Sequence, residues 1–101
     1  MRVLVMGAGG VGGYYGAVMH RGGHDVTFVA RGEHLEAIRR RGLRVESVAS
    51  GDFTVHPAVT DRPDSTHEAD LVLFCVKGYD NPEAIGLIGP AVGPHTSLLT
   101  L

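Results

Sequence analysis

The chain of 101 residues has a single cysteine, Cys75, and so cannot form a disulfide within itself. A reducing compartment, the cytoplasm, is the expected setting. Charge of one sign is also lacking: nine Lys and Arg stand against eleven Asp and Glu, a formal net charge of −2. That balance creates no field for a polyanion, so no nucleic-acid partner is expected. No apolar run approaches the length of a membrane span, and no membrane partner is expected. No charged-then-apolar leader opens the chain, and Met1 stands two residues ahead of the first apolar run, so no targeting segment is expected. The histidines (His20, His24, His34, His56, His67 and His95) follow no metal-ligand spacing, and no metal site is expected. No internal repeat is visible.

What is present is glycine, fifteen residues gathered at turns rather than in a low-complexity tract. Hydrophobic residues make up 44%, enough for the core of one small domain. The chain is organised around its first sixteen residues. Val3-Leu4-Val5-Met6 is a short apolar run, the mark of a strand buried on both faces. It leads directly into Gly7-Ala8-Gly9-Gly10-Val11-Gly12, with glycines at the first, third and sixth positions of a dinucleotide fingerprint. Gly7 suits the tight turn off the strand, Gly9 the approach of a pyrophosphate to the backbone, and Gly12 the close packing of the next helix. That helix would begin with free N–H groups and its positive dipole end toward the phosphates. The alternative is a glycine turn that only closes a βα unit.

A helix is expected over roughly Gly10–Arg21, with Val11, Tyr14 or Tyr15, Val18 and Met19 inward, ended by Gly22-Gly23. Asp25–Ala30 is rich in β-branched and aromatic residues and reads as the second strand. A second helix over Gly32–Arg41 would turn Leu35, Ile38 and Ala37 inward. Leu43–Val48 and Phe53–His56 alternate apolar and polar residues, a short hairpin solvated on one face. A connection follows over Pro57–His67, with another extended piece around Ala58–Thr60. Asp70–Val76 is apolar after its first residue and should be a central strand. Asn81-Pro82-Glu83 opens a helix with a capping side chain, a proline and an acid, ending near Gly89-Pro90 or Gly93-Pro94. Thr96–Leu101 reads as a last strand. The expected fold is α/β, a Rossmann-type open and mostly parallel sheet in the order 3-2-1-4-5 with helices on both faces. The uncovered apolar strand at the end suggests a fragment of a longer protein, with self-association through that edge as one consequence.

Arg31 follows the second strand, nineteen residues beyond Gly12. An acid near this point binds the ribose 2′-hydroxyl of NAD, whereas a guanidinium pairs with the 2′-phosphate of NADP. Arg31 therefore points to NADP; the alternative is a solvated arginine at a helix start, where the dipole gives it nothing. Asp25, at the other end of the strand, is too distant to be the ribose acid. Lys77 follows the central strand at the carboxyl end, where it could face phosphate, ribose or a substrate carboxylate, or simply be a surface lysine. Cys75 reads as a small core residue rather than a nucleophile. Arg39-Arg40-Arg41 suits a helix C-terminus. No pair of side chains here qualifies as a general acid and base, so no catalytic residue is assigned.

With these residues placed, the chain resembles the N-terminal domain of the ketopantoate reductases (2-dehydropantoate 2-reductases). The resemblance is carried by Gly7–Gly16, by Gly23-His24-Asp25-Val26-Thr27-Phe28-Val29-Ala30-Arg31-Gly32, by Arg41-Gly42-Leu43, by Val76-Lys77-Gly78-Tyr79-Asp80 and by Gly93-Pro94-His95-Thr96. It implies NADPH-dependent reduction of 2-dehydropantoate, a small 2-keto acid, to pantoate on the route to pantothenate and coenzyme A. It implies cofactor contacts at Gly7, Ala8, Gly9, Gly10, Val11 and Gly12 for the pyrophosphate and Arg31 for the 2′-phosphate, with Val76 and Lys77 beside the bound cofactor. The family's Gln-Asn-Gly segment and its helical C-terminal domain, with the catalytic lysine and substrate contacts, have no counterpart in this sequence. The chain alone is thus expected to bind cofactor and turn over nothing. Two other readings stay open: the cofactor domain of another 2-keto or hydroxy-acid dehydrogenase, and a non-catalytic NAD(P)-sensing module.

Overall fold

The computed structural model describes residues 1–7, 10–46, 48, 51–63, 68–75, 86 and 88–100. Five strands make a parallel sheet: β1 (Arg2–Met6), β2 (Asp25–Val29), β5 (Ala58–Thr60), β6 (Leu71–Phe74) and β7 (Ser97–Thr100). Their spatial order is β5-β2-β1-β6-β7, which is 3-2-1-4-5 once these five are counted along the chain. Two short strands, β3 (Leu43–Val45) and β4 (Phe53–Val55), pair antiparallel in a separate hairpin with Leu43 opposite Val55 and Val45 opposite Phe53. Among the described residues α1 (Gly10–Arg21) and α2 (Gly32–Arg41) are helices, and Gly89–Ala91 is a 3₁₀ turn.

The period of two along each strand divides the core cleanly. Val3, Val5, Val26, Phe28 and Leu73 point to one face, where Ile38 of α2 and the half-buried Met19 of α1 cover them. Leu4, Met6, Val29, Val72 and Phe74 point to the other, against Ala69, Ile88 and Ala91. Both faces are apolar because crossover connections cover both, as the unbroken runs in β1 and β6 require. The hairpin sits outside this sheet and packs on α1 through Ala17, Val45 and Val55, with Phe53 lying 4.6 Å from the Arg21 guanidinium.

The structure departs from the sequence expectations in two places and sharpens a third. First, the buried side of α1 is not made of its large residues: Gly12, Gly13, Gly16 and Ala17 are buried, Tyr14 and Met19 are half-buried, and Val18 is 39% exposed. A methyl group on Gly16 would stand 2.5 Å from the Phe28 ring, so the helix lies too close to the sheet for anything larger there. Second, the first hairpin strand stops at Val45, and Val48 is fully exposed. The extended piece expected at Ala58–Thr60 is a strand, paired parallel with β2 as the third strand of the expected order. The expected helix from Asn81 lies outside the described residues apart from Gly86 and Ile88, which are helical. No helix among the described residues is long and apolar enough to cross a membrane.

Candidate functional site

In an open parallel sheet the ligand crevice lies outside the carboxyl ends of the strands, where the strand order reverses. Here the chain runs outward from β1 to β2 and β5 on one side and to β6 and β7 on the other, so the reversal falls beside β1. Register fixes what gathers there. Met6 is level with Val29 of β2 and with Phe74 of β6. One residue further, Gly7, Ala30 and Cys75 therefore form a row along the carboxyl edge. The Cys75 N–H donates to the Met6 carbonyl at 2.9 Å, and the Ala30 N–H to the Thr60 carbonyl at 3.0 Å.

Gly7 leaves β1 with φ of 98°, a left-handed conformation that a side chain would strain. α1 begins three residues later at Gly10, so its unpaired N–H groups open onto the same edge. No acid stands in its first turn, and nothing there opposes an anion. Gly12 is seated closely against the residues that follow β1 and β6. A Cβ on it would lie 2.5 Å from the Gly7 carbonyl oxygen, 2.8 Å from Cys75 Cβ and 2.9 Å from Cys75 Sγ. These features meet the demands of a backbone cradle for a pyrophosphate: a turn only glycine makes easily, a helix start facing out, and a helix seated tightly on the sheet.

Arg31 lies on this edge as well, one residue beyond Ala30, exposed and extended (φ −148°, ψ 165°) at the N-cap of α2, where its side chain makes no capping hydrogen bond. Asp25 starts β2 at the far edge, where Arg2 pairs with it at 3.4 Å and Asp70 accepts the Arg2 N–H at 2.7 Å. Its carboxylate is thus placed away from any ribose over Gly7. A hollow of about 440 Å³ near Arg2, Asp25, Thr27 and Arg62 belongs to that same side, not to the glycine turn.

Of the residues expected from sequence, the structure thus brings together Gly7, Gly10, Gly12 and Arg31 on one edge. Val11 falls in the first turn of α1. Ala8, Gly9, Val76 and Lys77 lie outside the described residues. Sequence reasoning treated Cys75 as core packing and missed that it abuts Gly12. Only the β1–β6 register reveals that contact, and no local pattern encodes a register. Burial pushes the Cys75 thiol above its ordinary pKa. Tyr14 and Tyr15 meet edge to face at 5.5 Å on α1, Tyr14 half-buried against the hairpin and Tyr15 exposed.

Known proteins resemble this chain in sequence and in fold. The family described as ketopantoate reductase PanE/ApbA matches residues 3–101. A 2-dehydropantoate 2-reductase of Mesorhizobium japonicum is 34% identical over 103 residues, covering all of this chain and 31% of that protein. The crystal structure of 2-dehydropantoate 2-reductase from Porphyromonas gingivalis superposes with a TM-score of 0.87 at 43% identity, over all of this chain and 38% of that one. D-mandelate dehydrogenase in a ternary structure with NADH and anilino(oxo)acetate gives a TM-score of 0.88 over all of this chain and 33% of that one; at 20% identity it shares the fold. The chain spans about a third of the length of these proteins. With the family's description matching residues 3–101 and the parallel sheet superposing on a solved member, the chain belongs to the ketopantoate reductase PanE/ApbA family.

Proposed function

We propose that residues 1–101 form the dinucleotide-binding part of an NADPH-dependent 2-dehydropantoate 2-reductase, which reduces a small 2-keto acid to the hydroxy acid on the route to pantothenate. The observation that carries the reading is the tight seat of Gly12 between Gly7 and Cys75, with Arg31 on the same edge, in a chain of this family. Bound NADPH would supply a hydride to the ketone carbon. The chain's own part is to bind and orient: the turn Gly7–Gly12 and the first N–H groups of α1 hold the diphosphate, and the Arg31 guanidinium pairs with the 2′-phosphate. Val76 and Lys77, next along from Cys75, complete the contacts, Lys77 with phosphate, ribose or a substrate carboxylate. We assign no catalytic residue within 1–101, so the chain binds cofactor without turnover. A cytoplasmic setting is part of the same reading, supported by a free cysteine.

NADPH is preferred over NADH on the strength of Arg31. Titrating the chain with each dinucleotide, followed by the fluorescence of the reduced nicotinamide, tests the reading. Tighter binding of NADPH is the expected result. Binding of neither overturns the proposal, and equal binding removes Arg31 from it.

A further inference from the structure

The sixth-position glycine of the turn has a partner that the fingerprint does not name. The first turn of α1 is seated against the Gly7 carbonyl and the Cys75 side chain, both within 3 Å of where a Gly12 Cβ would be. Gly12 has no side chain that could yield, and the Gly7 oxygen is backbone. Cys75 is itself held in place, its N–H bonded to Met6 at 2.9 Å and its preceding residue paired in the ladder opposite Met6. The side chain at position 75 is therefore the one variable part of the contact. From it we infer that Cys75 is a positioning residue for the dinucleotide: its small size sets how closely the start of α1 approaches the sheet, and so where the N–H groups that meet the diphosphate stand.

The inference rests on the dinucleotide reading above and adds a residue to it. Cysteine in such a place acts as a small hydrophobic group. Serine has nearly its shape and alanine is smaller, so both leave the helix seated. Leucine adds carbons to a contact already closed, and overpacking of this kind moves backbone. The backbone free to move is the first turn of α1, because Cys75 is tied to β1 and Gly7 continues it. The position also stays uncharged beneath an anionic ligand: an ordinary thiol is protonated at neutral pH, and burial pushes its pKa further up.

The test uses the full 101-residue chain with NADPH as the probe. Cys75→Ser and Cys75→Ala are expected to bind NADPH within about three-fold of the unsubstituted chain, and Cys75→Leu at least about ten-fold more weakly. Because Cys75→Leu could fail to fold, a second measurement is made on the unsubstituted chain. Its single thiol is labelled with an uncharged maleimide at pH 8. Saturating NADPH is expected to slow the labelling, and labelled protein to lose NADPH binding. A folded Cys75→Leu that binds normally, equal losses in the serine and alanine variants, or labelling indifferent to NADPH would each overturn the role of Cys75. Failure of the unsubstituted chain to bind NADPH or NADH overturns the dinucleotide reading itself, a separate result.

Discussion

A methyl group on Gly12 would stand 2.5 Å from the carbonyl oxygen of Gly7, closer than carbon and oxygen approach without bonding. The oxygen is backbone and a Cβ is fixed by the backbone that carries it, so neither can rotate away. Gly12→Ala must push the first turn of α1 off the end of β1. The expected cost is about 1–3 kcal/mol of stability, as for other overpacked sites. Dinucleotide binding should weaken beyond what that loss explains, because the displaced turn carries the N–H groups. Urea unfolding and NADPH titration of the same variant check both parts; unaltered binding would show that the seat of Gly12 is not part of the site.

If Arg31 pairs with the 2′-phosphate as proposed, Arg31→Ala should separate recognition of that phosphate from recognition of the rest of the cofactor. Arg31 precedes α2 and makes no capping hydrogen bond through its side chain, so the substitution removes no cap from that helix. Hydrogen bonds to a charged group contribute about 1.5–3 kcal/mol, which corresponds to a loss of roughly ten- to a hundred-fold in NADPH affinity. NADH affinity should stay as it was. Parallel titrations decide the matter, and equal weakening of both dinucleotides would make Arg31 a structural residue.

The sequence reveals most where several residues repeat one physical demand. The apolar runs Val3–Met6 and Leu71–Phe74 can be satisfied only by strands covered on both faces, and a glycine turn between strand and helix has few uses. Leu35 and Ile38, three apart in α2, are both buried as their spacing requires. Position in space is what the sequence conceals. Ala58–Thr60 is three residues long, too short for a clear alternation, and nothing local shows that it pairs with β2. Val18 looks inward on a helical wheel, but the glycines at 12, 13 and 16 bring α1 so close to the sheet that small residues occupy its buried side. Cys75 was legible as a packed residue; its contact with Gly12 depends on the register of β6.

The close fit of α1 on β2 gives a coupled pair of substitutions. A methyl group on Gly16 would lie 2.5 Å from Cζ and 2.8 Å from Cε1 of Phe28, a fully buried ring, and 3.0 Å from Val5 Cγ2. Gly16→Ala should therefore destabilise the chain by about 1–3 kcal/mol despite the better helix propensity of alanine. Phe28→Leu opens room at the ring's far end while costing packing of its own. In the double variant the two losses should sum to less than their total, a coupling of about 0.5–3 kcal/mol measurable by urea unfolding of the four proteins. Simple additivity would mean that helix and ring do not contend for the same space.

Alkaline pH should weaken the fold partly through Cys75. Burial raises the pKa of its thiol in the folded chain. Below the ordinary thiol pKa both folded and unfolded chains keep the proton, and stability is unaffected. As pH rises through that value the unfolded chain releases its proton first, so the folded state binds more protons and stability falls until the folded thiol also ionises. Cys75→Ala removes this contribution. Urea midpoints from pH 7 to pH 10 should fall less steeply for the variant than for the unsubstituted chain, and parallel curves would show that the thiol is not desolvated in solution.

Among the described residues β7 is the edge of the sheet, paired with β6 on one side, and it is uncharged from Ser97 to Thr100. Its register sets Leu98 level with Val72 and Leu99 level with Leu73, so the two leucines face opposite sides of the sheet. Both are uncovered, 59% and 48% exposed. Natural edge strands avoid pairing with other chains by means of charges, prolines or bulges, and no charge or proline lies within this one. Two copies of the chain should therefore associate along β7 and extend the sheet, with leucines meeting on both faces. Light scattering across a concentration series should show a rising mean mass. Leu98→Lys places a charge on the open face of the strand and should return the chain to a monomer without altering NADPH affinity, since the carboxyl edge at Gly7 is two strands away. If the lysine variant associates as readily as the unsubstituted chain, the contact lies elsewhere on the surface.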